Sequence, residues 1–257
     1  MKTLKIIKVL VVLAALVGTS AFAVIANSKH DLSTGSTNGG IRAAGSGVDE
    51  ICVFCHTPHG ANSTFTGAPI WNKETSTAQT GWTMYGTTIG GTDIDTQSGG
   101  APSDSSKACL SCHDGVSAVN SLQNAPGSGL AGVGAQMDGQ YAKMLLKGGG
   151  AAGTGAESLT DLGADAAVNL GGGTATADLS NDHPISVTYD ATKASLKATT
   201  ATLTSWITPG AGTTIADVLK SGKVECGTCH DPHEVTNGRF LRASNTASAL
   251  CLSCHQK

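Results

Sequence analysis

Cys226-Gly227-Thr228-Cys229-His230-Asp231-Pro232-His233, followed by Cys251-Leu252-Ser253-Cys254-His255, is the stretch on which the reading of this chain turns. The same two-part pattern stands upstream as Cys52-Val53-Phe54-Cys55-His56-Thr57-Pro58-His59 and Cys109-Leu110-Ser111-Cys112-His113. The four copies absorb all eight cysteines. At C-x-x-C-H spacing two thiols can add to the vinyl groups of one porphyrin while the adjoining histidine supplies an axial nitrogen to the iron. The expectation is four covalently bound haem c groups, with His56, His113, His230 and His255 as proximal iron ligands.

Cysteine pairs at this spacing also bind zinc or perform thiol–disulfide exchange. Zinc needs four ligands converging on one ion, so eight thiolates would serve two ions and leave the histidine after every second cysteine unexplained. A redox dithiol comes as one motif on a βαβ background, and that background is missing here. Four disulfides would suit a secreted chain but not so uniform a spacing. Only the haem reading uses every residue of the pattern.

An iron closed to outside molecules needs a second axial ligand, usually histidine or methionine. Of eight histidines, four follow the cysteine pairs and four are left: His30, His59, His183 and His233. Four spare histidines for four irons point to histidine on both faces of each. Met84, Met137 and Met144 compete for the role, but their positions do not repeat along the chain. His59 and His233 share the His-x-Pro-His context. Neither can reach the iron of the histidine three residues before it, because both side chains leave neighbouring backbone in similar directions. Positions three apart on a helical turn lie about 5–6 Å from each other, so irons gripped from them would be on the order of 10 Å apart. The expected pairing is His59 with His113, His233 with His255, His30 with His56 and His183 with His230.

The N-terminus carries Lys2, Lys5 and Lys8, an apolar run from Val9 to Val17, and Ala21-Phe22-Ala23. This reads as a secretory signal over residues 1–23, with an apolar stretch too short to span a membrane as roughly 20 residues would. The mature protein is expected to be secreted, without a membrane span. Removal of the three signal lysines takes the formal charge from −3 to −6. With no basic patch to meet phosphates, a nucleic-acid partner is not expected.

Aromatic residues make up 4 % of the chain and charged residues 14 %, against 34 glycines in 257. Such a composition cannot build a large aliphatic core, and its glycines raise the entropy lost on ordering. Four porphyrins would supply the missing hydrophobic centre. The expected fold is mostly irregular, with short α-helices at the attachment sites wrapped around four stacked haems. Trp71, Trp82 and Tyr85 are expected against porphyrin faces.

The chain repeats itself. His30-Asp31-Leu32-Ser33 precedes the first pair of motifs, and His183-Pro184-Ile185-Ser186 precedes the second. Two dihaem modules in tandem follow, at 24–119 and 181–257, with a Gly/Ala-rich segment between them at 120–180. Residues 139–147 are expected to form a helical turn or two, and 185–189 a short strand.

On these motifs the chain resembles the multihaem c-type cytochromes with paired C-x-x-C-H modules. More narrowly it resembles the exported, OmcE-like tetrahaem cytochromes that polymerise into extracellular filaments. The shared features are the four attachment sites, the two His-x-Pro-His extensions and a histidine just behind the signal. The resemblance implies haems stacked in a continuous row, head-to-tail joining with other copies, and an axial histidine donated across the boundary. His30 is the candidate for that donation; alternatively it folds back onto its own chain. The implied function is electron transfer to redox partner proteins or an external acceptor, the alternative being a soluble periplasmic shuttle. Catalysis at haem needs an open coordination position, whereas every iron here has a candidate histidine. An enzyme is therefore not expected.

Overall fold

A computed structural model describes residues 25–37, 41–43, 49–75, 79–86, 88–89, 92–93, 101–117, 119, 121–124, 144–145, 170, 176–180, 184–207 and 213–256. The signal segment 1–23, most of the 120–180 segment and His183 lie outside the described residues. Among the described residues no helix is long and apolar enough to cross a membrane.

Regular structure is sparse and gathers at the motifs. Residues Ile51–Phe54 form a 3-10 turn carrying the first motif. Helix α1, Asp104–His113, carries the second and is the longest element described. Pro102 and the extended Ser103 start it, and Gly115 at φ 82° ends the run two residues beyond it. A left-handed residue there is readily supplied by glycine. Helix α2, Ile215–Val218, is opened by Thr214 and Asp217, whose side chains bond reciprocally across its first turn. Helix α3, Cys226–Cys229, carries the third motif. Helix α4, Ala249–Leu252, carries the start of the fourth.

Four two-stranded sheets and a 3-10 turn at Thr246–Ser248 complete the inventory of described residues. Strand β1 (Arg42–Ala43) pairs antiparallel with β5 (Met144–Leu145). Strand β2 (Gly81–Thr83) runs parallel to β6 (Thr176–Asp178). Strands β3 (Thr88–Ile89) and β4 (Thr92–Asp93) form a hairpin, and β7 (Val187–Thr188) pairs with β8 (Lys223–Val224). The strand expected within 185–189 is present. Of residues 139–147, expected to form a helical turn or two, only Met144 and Leu145 are described, and these two sit in a strand. Cross-strand bonds to Arg42 and Ala43 outweigh the weak helical preference of so short a stretch.

Among the described residues, apolar side chains gather in small clusters. Leu203, Trp206, Ile215, Val218, Ala243 and Leu250 are buried together, with Cys229 and Cys254 packed against them. Leu110, Leu179 and Ile185 form another, in contact with Trp82 and Cys226. Each cluster thus closes on cysteines of the motifs.

The two halves interlock through a buried acid. Glu225, 1 % exposed, accepts hydrogen bonds from the hydroxyls of Ser103, Ser106 and Ser186. Its own backbone N–H is capped by Thr228 Oγ1 at 2.9 Å. Ser106 Oγ also accepts from the Cys226 N–H at 3.1 Å. These bonds pin the start of α1 to the start of α3.

Candidate functional site

The first motif of each half is followed by a loop that returns antiparallel to it. Trp71 bridges to His56 and Leu241 to His230. The Thr57 N–H donates to Ile70 O at 2.9 Å, and the Asn72 N–H to Cys55 O at 2.8 Å. The equivalents are Asp231 N–H to Phe240 O at 2.8 Å and Arg242 N–H to Cys229 O at 2.9 Å. The tight return drives Ile70, Arg239 and Phe240 to φ 45°, 48° and 58°. Non-glycine residues accept that region only under constraint from their surroundings.

What the return achieves is a fixed tautomer. His56 Nδ1 donates to Pro69 O at 2.9 Å, and His230 Nδ1 donates to Arg239 O at 2.9 Å. A carbonyl can only accept, so Nδ1 carries the proton and Nε2 keeps the lone pair a metal needs. His233 is held likewise: its ring Nδ1 meets Asp231 Oδ1 at 3.2 Å, and Arg242 braces Asp231 Oδ2 at 3.1 Å.

Two pairs of imidazoles face each other. The ring centres of His56 and His233 are 6.1 Å apart, with planes 14° from parallel. Those of His30 and His113 are also 6.1 Å apart, at 64°. A first-row metal bound at roughly 2.0 Å by a nitrogen on each side, with each ring centre about 1.2 Å behind its nitrogen, sets the centres about 6.3 Å apart. Both pairs match that separation. The space beside the first pair is an open cleft of about 200 Å³ lined by Ile25, Ala26, His30, Ile51, Cys52, Cys55, His56 and His233. Both thiols of one motif, two facing imidazoles and apolar walls thus share one cavity, which is the donor set a covalently held haem requires.

These pairs differ from those expected. His233 faces His56 rather than His255, and His30 faces His113 rather than His56. Spacing shows that His233 must look away from His230, but it cannot say toward which half. His30 is also not a loose arm: its ring stacks on Phe240 at 4.1 Å and hydrogen-bonds the Pro232 carbonyl. Burial, and then neighbouring His113, lower it to about 4, so it is neutral at neutral pH, the form that ligates. His59, His230 and His255 are exposed. His255 bridges to Leu196, beside a Lys197 N–H to Cys254 O bond of 2.9 Å.

No two of the eight cysteines are joined as a disulfide. Burial pushes Cys55 and Cys229 up to about 12, so they are protonated at neutral pH. Rapid exchange chemistry needs the thiolate. Cys109 meets Cys226, and that hydrogen bond, followed by burial, raises it as well. The second and third attachment sites therefore lie side by side. Among the described residues, which include every cysteine, no three of His, Cys, Asp or Glu converge as a metal cluster, in contrast to what zinc would need.

Several supporting contacts escaped sequence reasoning, including those of Trp71, which was singled out only as a residue expected against a porphyrin face. Trp71 Nε1 donates to Ser111 Oγ at 3.2 Å, and Trp206 Nε1 to Ser253 Oγ at 3.1 Å. Both serines belong to the repeated Cys-Leu-Ser-Cys, which was the available signal, but the tryptophans precede them at different distances. Trp71 also stands edge-on to His56, ring centres 5.7 Å apart. Lys73, 1 % exposed, donates to Val119 O at 2.7 Å, and burial lowers its pKa.

The family described as a doubled CXXCH motif matches residues 218–257, the third and fourth motifs. No curated protein matches the chain. The doubled motif supports a multihaem c-type cytochrome with covalently bound, iron-containing haem c, and hence an electron-transfer role. The low content of regular structure agrees with that class.

Proposed function

We propose that this chain is a tetrahaem c-type cytochrome with histidine on both sides of each iron, exported and joined head to tail into an extracellular filament that passes electrons to external acceptors. The observation that carries the reading is the cleft in which Cys52, Cys55, His56 and His233 meet, with two imidazoles at the separation one metal requires. His30 and His113 repeat that separation. Haem iron, when bound, takes up and returns a single electron. The cysteines tether it at each motif. The Pro69 and Arg239 carbonyls aim the proximal nitrogens, and Asp231 aims a distal one. Apolar walls keep water from the metal and hold the charge of the site in a medium of low polarity. The short His-x-x-His spacing ties neighbouring sites together, which favours transfer along a row over chemistry at one centre.

The test is intact mass, spectroscopy and electron microscopy of the mature exported protein. Expected are the mass of four haems, low-spin signals from all four irons, and filaments. Fewer than four haems, or a high-spin iron that binds carbon monoxide in the assembled protein, would sink the reading in favour of an open, enzyme-like centre. Four low-spin irons in a lone soluble copy would favour the periplasmic shuttle.

A further inference from the structure

The loop that returns against the first motif carries a charge that its counterpart in the second half lacks. Trp71 bridges to His56 as Leu241 does to His230, so Lys73, two residues on, corresponds to Ala243. Both positions are buried, at 1 % and 5 % exposure. An ammonium and a small apolar side chain thus occupy equivalent places in the two halves.

Lys73 is built into the space between the first two motifs. The preceding Asn72 N–H donates to Cys55 O at 2.8 Å, and the Asn72 side chain donates to Val53 O at 2.6 Å. On the other side Lys73 bridges to Leu122, and its Nζ donates to Val119 O at 2.7 Å, both residues lying shortly beyond the second motif. Asn62 Nδ2 donates to its carbonyl at 2.8 Å. Burial bears most on its charge, followed by Cys112 and Cys55, and then by Glu74 and Asp114. Its ammonium is therefore within electrostatic reach of the attachment points of both first-half sites. The cations of the second half sit differently. Arg242 is paired with Asp231 at 3.1 Å, and Lys197 is partly exposed where its Nζ meets Leu252 O at 2.5 Å.

We propose that Lys73 sets the reduction potentials of the two first-half haem sites, Cys52–Cys55–His56 and Cys109–Cys112–His113, above those of the second half. This rests on the tetrahaem reading above. Reduction removes one positive charge from a haem, so a buried cation beside it disfavours the oxidised form. Solvent ions screen such a buried field only weakly. Ala243 supplies no such field to the second-half sites, and Asp231 offsets that of Arg242. One electron added to the chain therefore settles in the first half, which gives transfer within a copy a direction.

The experiment is a spectroelectrochemical titration of mature haem-loaded wild type, Lys73→Met and Lys73→Arg, with the haem signals assigned by nuclear magnetic resonance through the motif histidines. In wild type the first-half irons should be reduced first. Lys73→Met keeps most of the side chain's length and removes its charge. It should lower both first-half potentials by about tenfold in the reduction equilibrium, about 59 mV each, and leave the second-half pair in place. Lys73→Arg should restore them. A Lys73→Gln variant, with the same falls expected, covers the case in which the methionine variant does not load four haems. Unchanged potentials in the neutral variant overturn the proposal, as does an equal fall at all four irons. Equal falls in Lys73→Arg and Lys73→Met would show a packing role and overturn it too. Four haems in wild type with the second half reduced first overturn the assignment and leave the tetrahaem reading intact. Fewer than four haems in wild type overturn both.

Discussion

An imidazole ligates through one nitrogen, so the partner of its other nitrogen decides whether it is ready to bind. His56 and His230 obtain that partner from the backbone, at Pro69 O and Arg239 O, and His233 obtains it from a side chain, Asp231. A carbonyl cannot be mutated away, but an aspartate can. Replacing such an orienting group typically weakens metal binding by about 10- to 100-fold. Asp231→Ala is therefore expected to loosen the His233 bond so that carbon monoxide reaches the reduced iron of the Cys52–Cys55 site at least about tenfold more readily. Stopped-flow carbon monoxide binding reads this directly, and an unchanged rate would mean Asp231 serves only to anchor Arg242.

At the scale of elements, helices α1 and α3 meet over buried polar groups as well as apolar ones. Glu225 gathers Ser103, Ser106 and Ser186, while Cys109 and Cys226 touch beside them. A buried carboxylate is tolerated when its lone pairs are fully occupied, and removing it strands the donors. Glu225→Ala should cost on the order of 3 kcal/mol, seen as a lower urea midpoint of the holoprotein. Glycine matters here at one close approach. A Cβ on Gly67 would run into the backbone of Ser105 at the start of α1. Gly67→Ala should cost about 1–3 kcal/mol by the same measurement, because backbone cannot move aside as a side chain can.

For the whole molecule, the described apolar clusters are small and border the motif cysteines. Their burial does not approach the conformational entropy of so glycine-rich a chain. Folding and haem attachment are then one process, as when a cofactor's binding energy stands in for a core. A variant with all eight cysteines changed to alanine is expected to lose cooperative thermal unfolding by circular dichroism. A sharp transition in that variant would show that the polypeptide clusters suffice alone. The halves are likewise not separable beads, since Glu225, Phe240 and His233 each reach across from the second half to the first.

Covalent chemistry is local, so the expected attachment sites follow from the sequence alone. Cys-x-x-Cys-His brings its three groups together within five residues wherever the chain goes, and four copies name eight cysteines and four proximal histidines without any fold. Composition likewise pointed to little regular structure, which the described residues bear out. The distal partners are set differently, because an iron's second ligand can come from any distance along the chain. Only the tertiary structure brings the His233 ring beside His56 and the His30 ring beside His113, since those contacts depend on how α1 packs on α3 and where the N-terminal segment lies. The same holds for Trp71 and Trp206 on the motif serines, and for Met144–Leu145 as strand. Contacts made by packing leave no fixed spacing in the chain, whereas bonds made by a motif do.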